Sequence, residues 1–511
     1  MGPMTRRRFV QLGAQGIVLA TIPGFLRFNP TAAFARPAGE MALNDYYAHF
    51  GLDEKTIRDV MAAALSRGGD YCDIFIEHTL SNNLVLEDDK VSRAFTNVDL
   101  GAGIRVLKGD QTGYSYTEEL TPEAMKLAAQ TAATIAASGG GSDPAGLKYV
   151  KTPNYFEVSL PLEEVTIDQK IPLLQKVNEK MANLESRLIR RRVSYGDSAS
   201  YVLIATSDGR VVCDYRPMTQ LSGSCTAEID GRRESCGYSI AGRRSSDYFT
   251  ADKLDRIGSE AVNRTMQMFN AVKPEAGEMP VVLACGHSGI LLHEAIGHGM
   301  EADFNRRNES VFADKIGKPV AEKIVTIIDD GTNPYERGSI NVDDEANESK
   351  RTVLVDNGIL RSYMHDIISS KFYGVQPTGN GRRESFRYNP IPRMRNTYML
   401  NGPHTSEEII GSVKKGLYCE SFTNGQVNIG PGDFTFYVQN GYLIEDGKLT
   451  APVKDVNLIG NGPQVLAKIT MVANDFKMSE GTWTCGKGQS VPVSLGMPSV
   501  LVSAITVGGV G

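Results

Sequence analysis

The chain has 511 residues, of which 41% are hydrophobic and 22% are charged, and its formal net charge is -6. This length favours two domains over one, and the composition is typical of folded proteins rather than of disordered chains. The acidic balance, with no long basic stretch interleaved with aromatic residues, argues against nucleic acid as a partner.

The N-terminal segment predicts an export signal. A basic stretch at 5–10 precedes an apolar stretch at 12–26, and Ala33 and Ala35 fit an A-x-A cleavage site. The apolar stretch is short for a membrane span, and the paired arginines resemble a twin-arginine signal. An ordinary secretory signal or a retained anchor is the alternative. We therefore expect residues 1–35 to be removed on export to the periplasm.

Residues 45–272 predict an N-terminal α/β domain. Apolar residues at helical spacing predict a helix over 54–67, and Thr121 followed by proline predicts the start of a second helix. A third helix is expected over 167–187. Short apolar runs predict strands, which are 72–77, 84–87, 102–107, 199–206 and 210–215.

The second half of the chain predicts a domain of another kind. A stretch containing proline and glycine at 273–278 indicates a linker. Beyond about residue 300, short strands alternate with Asp-Gly and Asn-Gly turns, which is typical of antiparallel β structure. We therefore expect a mostly antiparallel β domain over 279–511, and an α+β fold overall.

The stretch at 289–299 is the most informative part of the sequence. Glu294 directly follows His293, and His298 lies five residues beyond the first histidine. Neutral imidazole is a good zinc ligand, and a carboxylate beside a ligand can accept a proton from water at the metal. These residues therefore supply two parts of a hydrolytic site.

The five-residue spacing of the histidines does not suit a regular helix. Residues five apart in an α-helix differ by about 140° and do not share a face. We expect Gly297 and Gly299 to loosen or end the helix, so that His298 turns back toward His293. Taken alone the motif is weak, and two solvated or otherwise satisfied histidines are the alternative.

Several further stretches turn this motif into a specific signature. They are Gly-Met-Glu-Ala-Asp-Phe at 299–304, Asp-Asp-Gly-Thr at 329–332, Asp-Asp-Glu at 343–345, Thr-Gly-Asn-Gly-Arg-Arg at 378–383, Arg-Met-Arg-Asn-Thr-Tyr at 393–398 and Cys-Gly-Lys-Gly-Gln at 485–489. With them, the chain resembles the TldD/PmbA family of zinc metallopeptidases over nearly its whole mature length.

The resemblance implies an N-terminal α/β domain and a mostly antiparallel β domain that carries the metal-site helix. It implies one Zn²⁺ per chain, held by His293, His298 and Cys485, with Glu294 as the catalytic acid/base. All four residues are present, which indicates the active TldD branch, because the TldE/PmbA branch lacks them. Thiolate ligation disfavours calcium and magnesium, whereas iron or another transition metal stays an alternative.

The resemblance also implies a substrate class and a partner. We expect hydrolysis of unfolded or extended peptides, by a homodimer or by a heterodimer with a TldE/PmbA-like chain. A non-catalytic metal-containing assembly or binding protein is one alternative. A zinc amidohydrolase that acts on a non-peptide amide is another.

Other residues are weaker candidates. Arg382 and Arg383 follow a Gly-Asn-Gly loop and could bind a peptide carboxylate. His287 could support the metal site, although a histidine engaged elsewhere is the commoner case. The acidic residues could form a second metal site or simple solvated turns; they are Asp329, Asp330, Asp343, Asp344 and Glu345.

The chain has seven cysteines, and an odd number leaves at least one without a disulfide partner. Cys485 is the candidate for a different role. Cys213, Cys225 and Cys236 are close enough in sequence to include a bridge, and buried free thiols are the alternative.

Overall fold

The computed structural model describes residues 41–136, 139, 141–158 and 160–509. The expected signal peptide, 1–35, lies outside these residues. Within the described ranges, none of the helices is long and apolar enough to cross a membrane.

The N-terminal part is built around one seven-stranded sheet. Its strands are β1 (Tyr71–Glu87), β2 (Lys90–Lys108), β3 (Gln111–Thr117), β4 (Lys148–Tyr149), β5 (Leu188–Thr206), β6 (Arg210–Ile229) and β7 (Arg232–Gly242). The order is β3-β2-β1-β5-β6-β4, and β7 also pairs with β6. Neighbouring strands are antiparallel except β4, which runs parallel to β6.

The sequence predicts two strands where the structure has one, β1. The polar residues between the predicted strands, 81–83, stay in register with β2 on one side and β5 on the other. Asn82 donates from its side chain to Asp197 at 2.7 Å and accepts from Thr96 at 2.6 Å. Because both neighbours supply polar partners, the strand continues where hydropathy alone indicates a break.

Five longer helices pack on this sheet. They are α1 (Leu43–Phe50), α2 (Glu54–Leu65), α3 (Pro122–Ile135), α4 (Ile167–Leu184) and α5 (Ala251–Gln267). The helix predicted over 54–67 is confirmed as α2, which buries its apolar face in the core. Thr121 caps α3 by accepting from the Ala124 N–H at 3.3 Å, as predicted. The N-terminal part is thus an α/β domain.

The C-terminal part contains two larger sheets and two hairpins. The first sheet has the order β11-β10-β9-β14-β23-β20, and the second has the order β15-β8-β24-β18-β16-β17. Because β15 also pairs with β16, the second sheet closes on itself. The strands are β8 (Gly277–Leu283), β9 (Ile327–Asp330), β10 (Arg351–Asp356), β11 (Ile359–Leu360), β12 (Gly381–Arg382), β13 (Ile391–Pro392), β14 (Asn396–Met399), β15 (Lys415–Asn428), β16 (Asp433–Glu445), β17 (Lys448–Val453), β18 (Val456–Asn461), β19 (Ile469–Val472), β20 (Lys477–Met478), β21 (Thr484–Gly486), β22 (Ser490–Pro492), β23 (Ser494–Met497) and β24 (Val500–Gly509).

Short helices connect these strands. They are α6 (Ile290–Leu292), α7 (Ala302–Arg306), α8 (Ile367–Tyr373), α9 (Ser406–Gly411) and α10 (Gly462–Leu466). The segment after α6 is enclosed by the main C-terminal core, which includes Leu292, Ile296 and Met394. The fold is therefore the expected α+β arrangement, with the informative 289–299 stretch in the middle of a packed core. The domain limits 45–272 and 279–511 stay a prediction.

Candidate metal centre

A π-helical turn brings His293 and His298 together. The segment His293–Gly297 follows α6, and the His298 N–H donates to the His293 carbonyl, which is an i→i+5 bond. Such a turn is one residue wider than an α-helical turn, so residues five apart fall on the same side. The two imidazole ring centroids are 5.0 Å apart. The irregularity that the spacing requires is thus present.

The two glycines pack closely against neighbouring side chains. Gly297 keeps right-handed helical geometry, with φ -55° and ψ -55°. A Cβ atom at Gly297 would lie 2.1 Å from Met394 Sδ, and one at Gly299 would lie 2.7 Å from Phe312 Cδ2. The expected loosening of the helix is present as the π-helical turn that ends at Gly297, and the glycines allow close packing around this turn.

The hairpin of β21 and β22 brings Cys485 to the same place. Cys485 Sγ lies 3.5 Å from His298 Nε2, and one possible ligand atom from each of His293, His298 and Cys485 lies within 4.8 Å of the others. All three side chains are buried. Across the part of the chain that the structure describes, no other His, Cys, Asp or Glu group of three meets this condition.

A buried carboxylate orients His298. Glu301 Oε2 lies 3.0 Å from His298 Nδ1, so the opposite ring nitrogen, Nε2, faces Cys485. Glu301 is fully buried and is held by Lys487 Nζ at 3.1 Å and Arg393 Nε at 3.7 Å. A carboxylate on the outer nitrogen is the usual support for a metal-bound imidazole.

The charges around Cys485 favour its thiolate. Burial alone would raise the pKa of Cys485, but His293 and His298 lower it well below the usual range. Burial would likewise lower the pKa of His298, yet the Cys485 thiolate and Glu301 raise it well above its usual range. Lys487 and His298 outweigh burial at Glu301 and hold its pKa at about 2. The site thus keeps an anionic sulfur ready for a cation.

The donor set fits zinc or a similar transition metal. Two imidazoles and one thiolate converge, and His293 Nδ1 is buried with no hydrogen-bond partner among the described residues. Three protein ligands leave a fourth tetrahedral position for water or substrate. Calcium and magnesium would require oxygen ligands, which this group of three does not supply.

His293 and His298 line a cavity of about 690 Å³, and so do Thr484 and Gly486, the neighbours of Cys485 in the chain. Glu294, one residue after His293, lines this cavity and is nearly buried. One wall is formed by residues of β15, which are Thr423, Gly425, Gln426 and Val427. Residues of the 482–487 segment also line the cavity. A carboxylate and a possible metal position thus face one shared space that is large enough for several residues of a peptide.

Arg382 and Arg383 do not lie at this cavity. Arg382 donates to the carbonyls of Met394 at 2.5 Å and Pro492 at 2.8 Å. Arg383 Nη2 lies 3.2 Å from Asp73 Oδ1. Both side chains are buried and line a separate cavity. Their role in binding a peptide carboxylate stays a prediction.

His287 is engaged elsewhere, the commoner of the two explanations. Its ring packs edge-on against Trp483, with the centroids 5.9 Å apart, and it lines a neighbouring cavity. Burial lowers the pKa of His287 to about 4, and Arg264 adds to this effect. A neutral, packed imidazole therefore accounts for this histidine.

The acidic residues at 329–330 and 343–345 are buried and bonded to other groups. Asp329 accepts from Arg395 Nε at 2.8 Å. Glu345 lies 2.7 Å from Arg105 Nη1, and Asp344 accepts from Arg216 Nη1 at 2.6 Å. The five acidic residues are therefore not solvated turns. In the described part of the chain they also do not form a second metal site. Asp329, Asp344 and Glu345 instead pair with arginines in the protein interior, whereas Asp330 accepts from Thr332 and Asp343 from Asn347.

All seven cysteines are free thiols. Cys225 and Cys236 are register partners on β6 and β7 but are not bonded. Buried free thiols, the alternative to a bridge, are therefore confirmed for Cys213, Cys225 and Cys236.

Reasoning from the sequence missed Glu301 and Lys487 at the metal centre, although both lie inside the signature stretches quoted above.

The chain is similar in sequence to several known proteins. Family models of the PmbA/TldA metallopeptidases match three parts of the chain: domain 1 at residues 72–136, the central domain at 160–269 and the C-terminal domain at 276–509. The metalloprotease TldD homolog of Haemophilus influenzae is 39% identical over 466 residues, which cover 90% of this chain and 97% of that protein.

Two more distant proteins share the architecture. The zinc metalloprotease TldD homolog of Saccharolobus solfataricus is 28% identical over 452 residues, covering 86% of this chain and 97% of that protein. The crystal structure of TldE from Thermococcus kodakarensis has a TM-score of 0.72 at 19% identity and covers 89% of this chain and 99% of that one. The last likeness concerns the fold alone. From the matched domains and the Haemophilus relative, we conclude that this chain belongs to the PmbA/TldD family of metallopeptidases.

Proposed function

We propose that the protein is a zinc-dependent peptidase that hydrolyses unfolded or extended peptides. The observation that carries this proposal is the buried group of His293, His298 and Cys485, whose two histidines line one cavity together with Glu294. Family membership supports a protease-type activity. The name of the Saccharolobus relative and the chemistry of the donor set support zinc.

The residues around the cavity have separable tasks in this proposal. Zinc, when bound, polarises the scissile carbonyl and lowers the pKa of water. Glu294 accepts the proton of the attacking water and later transfers it to the leaving amine. Glu301 holds the His298 ring so that Nε2 keeps its direction. The His-Glu-x-x-x-His spacing serves this arrangement through the π-helical turn.

The shape of β15 favours an extended substrate. From Leu417 to Cys419 the strand pairs with both β8 and β16, but from Ser421 to Asn428 it pairs, among the described strands, with β16 alone. The second stretch supplies the residues that line the cavity. A peptide added to this open edge would be bound by main-chain hydrogen bonds, which tolerate varied side chains. Folded proteins cannot offer a free strand and should be poor substrates.

The catalytic proposal is tested with Glu294→Gln. Glutamine keeps the shape of the side chain but cannot accept the proton, so hydrolysis of an unstructured peptide should fall by about 10² or more. The bound metal should be unchanged, because Glu294 is not one of the proposed ligands. Full activity in this variant would refute the catalytic role. Full activity of the wild type after metal chelation would refute the metallopeptidase proposal itself.

We also propose export by the twin-arginine route and assembly as a dimer, with a second copy or with a TldE/PmbA-like chain. The N-terminal residue pattern supports export, and the family resemblance supports the dimer. N-terminal sequencing of periplasmic protein should give Arg36 as the first residue. A protein that begins at Met1 would contradict export, and a native mass equal to one chain would contradict the dimer.

A further inference from the structure

A second cavity, of about 300 Å³, lies where the N-terminal sheet meets the β21–β22 hairpin. Its N-terminal side is formed by residues of β1, β5 and β6, and its C-terminal side includes Thr484, Val491 and Pro492. Thr484 also lines the cavity of the metal centre. Five arginines line this second cavity: Arg216, Arg243, Arg337, Arg382 and Arg383.

Two of the five arginines have carboxylate partners. Arg216 is bonded to Asp344 at 2.6 Å, and Arg383 lies 3.2 Å from Asp73. Among the described residues, the other three form no ion pair. Their guanidinium groups contact main-chain carbonyls and one hydroxyl group: Arg243 contacts Pro217 O, Arg337 contacts Trp483 O and Thr484 Oγ1, and Arg382 contacts Met394 O and Pro492 O.

Arg243 is the most exceptional of these. The residue is only 4% exposed, and within the part of the chain that the structure describes its buried Nε has no hydrogen-bond partner. Burial lowers the pKa of Arg243 to about 9, and repulsion from Arg216 and Arg382 adds to the shift. Nη1 of Arg337 is also buried without a partner. A buried cation without a counter-ion is strongly unfavourable, so a negatively charged group bound in the cavity would be stabilising.

The carboxylates of the cavity already have other partners. Asp344 accepts from Arg216 and from the Arg383 N–H, and Glu384 accepts from the Ser490 N–H at 2.5 Å. Glu77 accepts from Thr79 and from the Phe386 N–H at 3.1 Å. Burial raises the pKa of Glu77 to about 7, which reduces its charge further. Asp344 offsets part of the effect of burial on the pKa of Arg382, and Asp214 offsets part of it for Arg243, but both carboxylates are already paired with Arg216. Across the described ranges, no carboxylate forms an ion pair with Arg243, Arg337 or Arg382.

We propose that this cavity binds an oxyanion, a carboxylate or a phosphate, between Arg243, Arg337 and Arg382. A planar guanidinium matches two oxygens of such a group with parallel N–H donors, and charge-assisted hydrogen bonds of this kind are strong. The unpartnered Nε of Arg243 supplies a donor that no protein group satisfies. The volume suits a small anion or the end of a peptide rather than a large cofactor.

The oxyanion has two sources that the structure allows. One is a free inorganic anion in the surroundings of the protein. The other is the C-terminal carboxylate of a peptide that extends from the metal centre past Thr484, the residue shared by both cavities. The second source rests on the proposed peptidase function, whereas the first does not.

Binding is tested by titrating inorganic phosphate into the full-length protein in a calorimeter, before and after metal chelation. Arg243→Gln and Arg337→Gln should each weaken binding by about tenfold or more, because each removes a charge-assisted contact. The matched control is Arg244→Gln. The neighbouring Arg244 stacks on Tyr248 and Tyr335 and lines a different cavity, so its loss should leave phosphate binding unchanged.

Binding that survives chelation and depends on Arg243 or Arg337 supports the site. Absence of saturable phosphate binding in the wild type would overturn the proposal. Wild-type phosphate affinity in both variants, Arg243→Gln and Arg337→Gln, when each is folded, would also overturn it. Circular dichroism spectra establish folding. Because this titration involves no hydrolysis, its failure is distinguishable from failure of the proposed peptidase function.

The source is decided with two peptides that differ only at the C-terminus, one ending in a carboxylate and one in an amide. If the site binds the peptide terminus, the carboxylate peptide should have the lower KM, and phosphate or Arg243→Gln should remove this advantage. Equal KM values together with Arg243-dependent phosphate binding would assign the site to a free oxyanion.

Discussion

Glu301 is the residue at the metal centre whose role is least visible in the sequence. It lies three residues beyond His298, and the sequence does not indicate that the chain turns there to place the carboxylate on Nδ1. By contrast, the signature stretches predict His293, Glu294, His298 and Cys485. Ligand identity follows from the residue pattern, whereas orientation of a ligand depends on a local fold that the pattern does not specify.

Replacing Glu301 should therefore weaken the metal centre without removing a ligand. Glu301→Gln keeps the size of the side chain but loses the charge that fixes the His298 ring, so metal affinity should fall by about 10- to 100-fold. Competition with a chromophoric chelator measures this change. Asp303→Asn is the control, since Asp303 binds the same Lys487 at 2.7 Å but is not bonded to His298. Equal affinities in wild type and Glu301→Gln would contradict the orienting role.

The buried His365 should make the free energy of unfolding depend on pH. Burial lowers the pKa of His365 to about 4, whereas an unfolded histidine titrates near 6.5. Between these values the unfolded state binds more protons, so stability falls as the pH decreases from 7 to 5, by roughly 2 kcal/mol from this group. His365→Phe should lose that part of the pH dependence. Denaturant unfolding at both pH values measures it, and identical pH dependence in the two proteins would refute the assignment.

At the scale of elements, the sequence predicted some features of the structure and not others. The amphipathic helix α2 and the capped helix α3 follow from apolar spacing and from Thr121. The continuity of β1 does not, because its polar middle depends on partners in β2 and β5. The π-helical form of the turn between the histidines is another feature that the sequence did not predict. The spacing of the histidines excludes an α-helix, but packing against the core decides which irregular turn forms.

The contact of Gly297 with Met394 makes that packing testable. In Gly297→Ala, the new Cβ would overlap Met394 Sδ, and such overpacking should cost about 1–3 kcal/mol of unfolding free energy. Met394→Ala creates space at the same point, so the double variant should lose less stability than the sum of the two single variants. Chemical denaturation of the four proteins measures the coupling. Strict additivity would show that the two residues do not share this contact.

At the scale of the whole molecule, buried ion pairs connect the N-terminal sheet to the C-terminal part. Arg105 of β2 lies 2.5 Å from Asp73 and 2.7 Å from Glu345, and all three side chains are fully buried. The sequence shows the acids at 343–345 but gives no indication that Arg105 pairs with Glu345, or that Arg216, 128 residues away, pairs with Asp344. Such long-range pairing depends on the assembled fold.

Removal of Arg105 should destabilise the protein strongly. Arg105→Gln leaves Glu345 buried without its counter-charge and leaves Asp73 with Arg383 alone; breaking a buried pair in this way typically costs about 3–5 kcal/mol. Arg187→Gln is the control, because Arg187 pairs with Glu185 at an exposed position where ion pairs contribute little. Thermal and denaturant unfolding compare the variants. Equal stabilities of Arg105→Gln and the control would contradict the importance of this buried connection.

The central claim, a metal held by His293, His298 and Cys485, is tested most directly by native mass spectrometry of metal per chain. We predict one zinc per chain in the wild type and a large loss in Cys485→Ala, because one of three protein ligands is removed. Cys419→Ala is the matched control, since Cys419 is a free thiol buried in the same core but outside the group of three; it should keep its zinc. A full complement of zinc in Cys485→Ala would contradict the account.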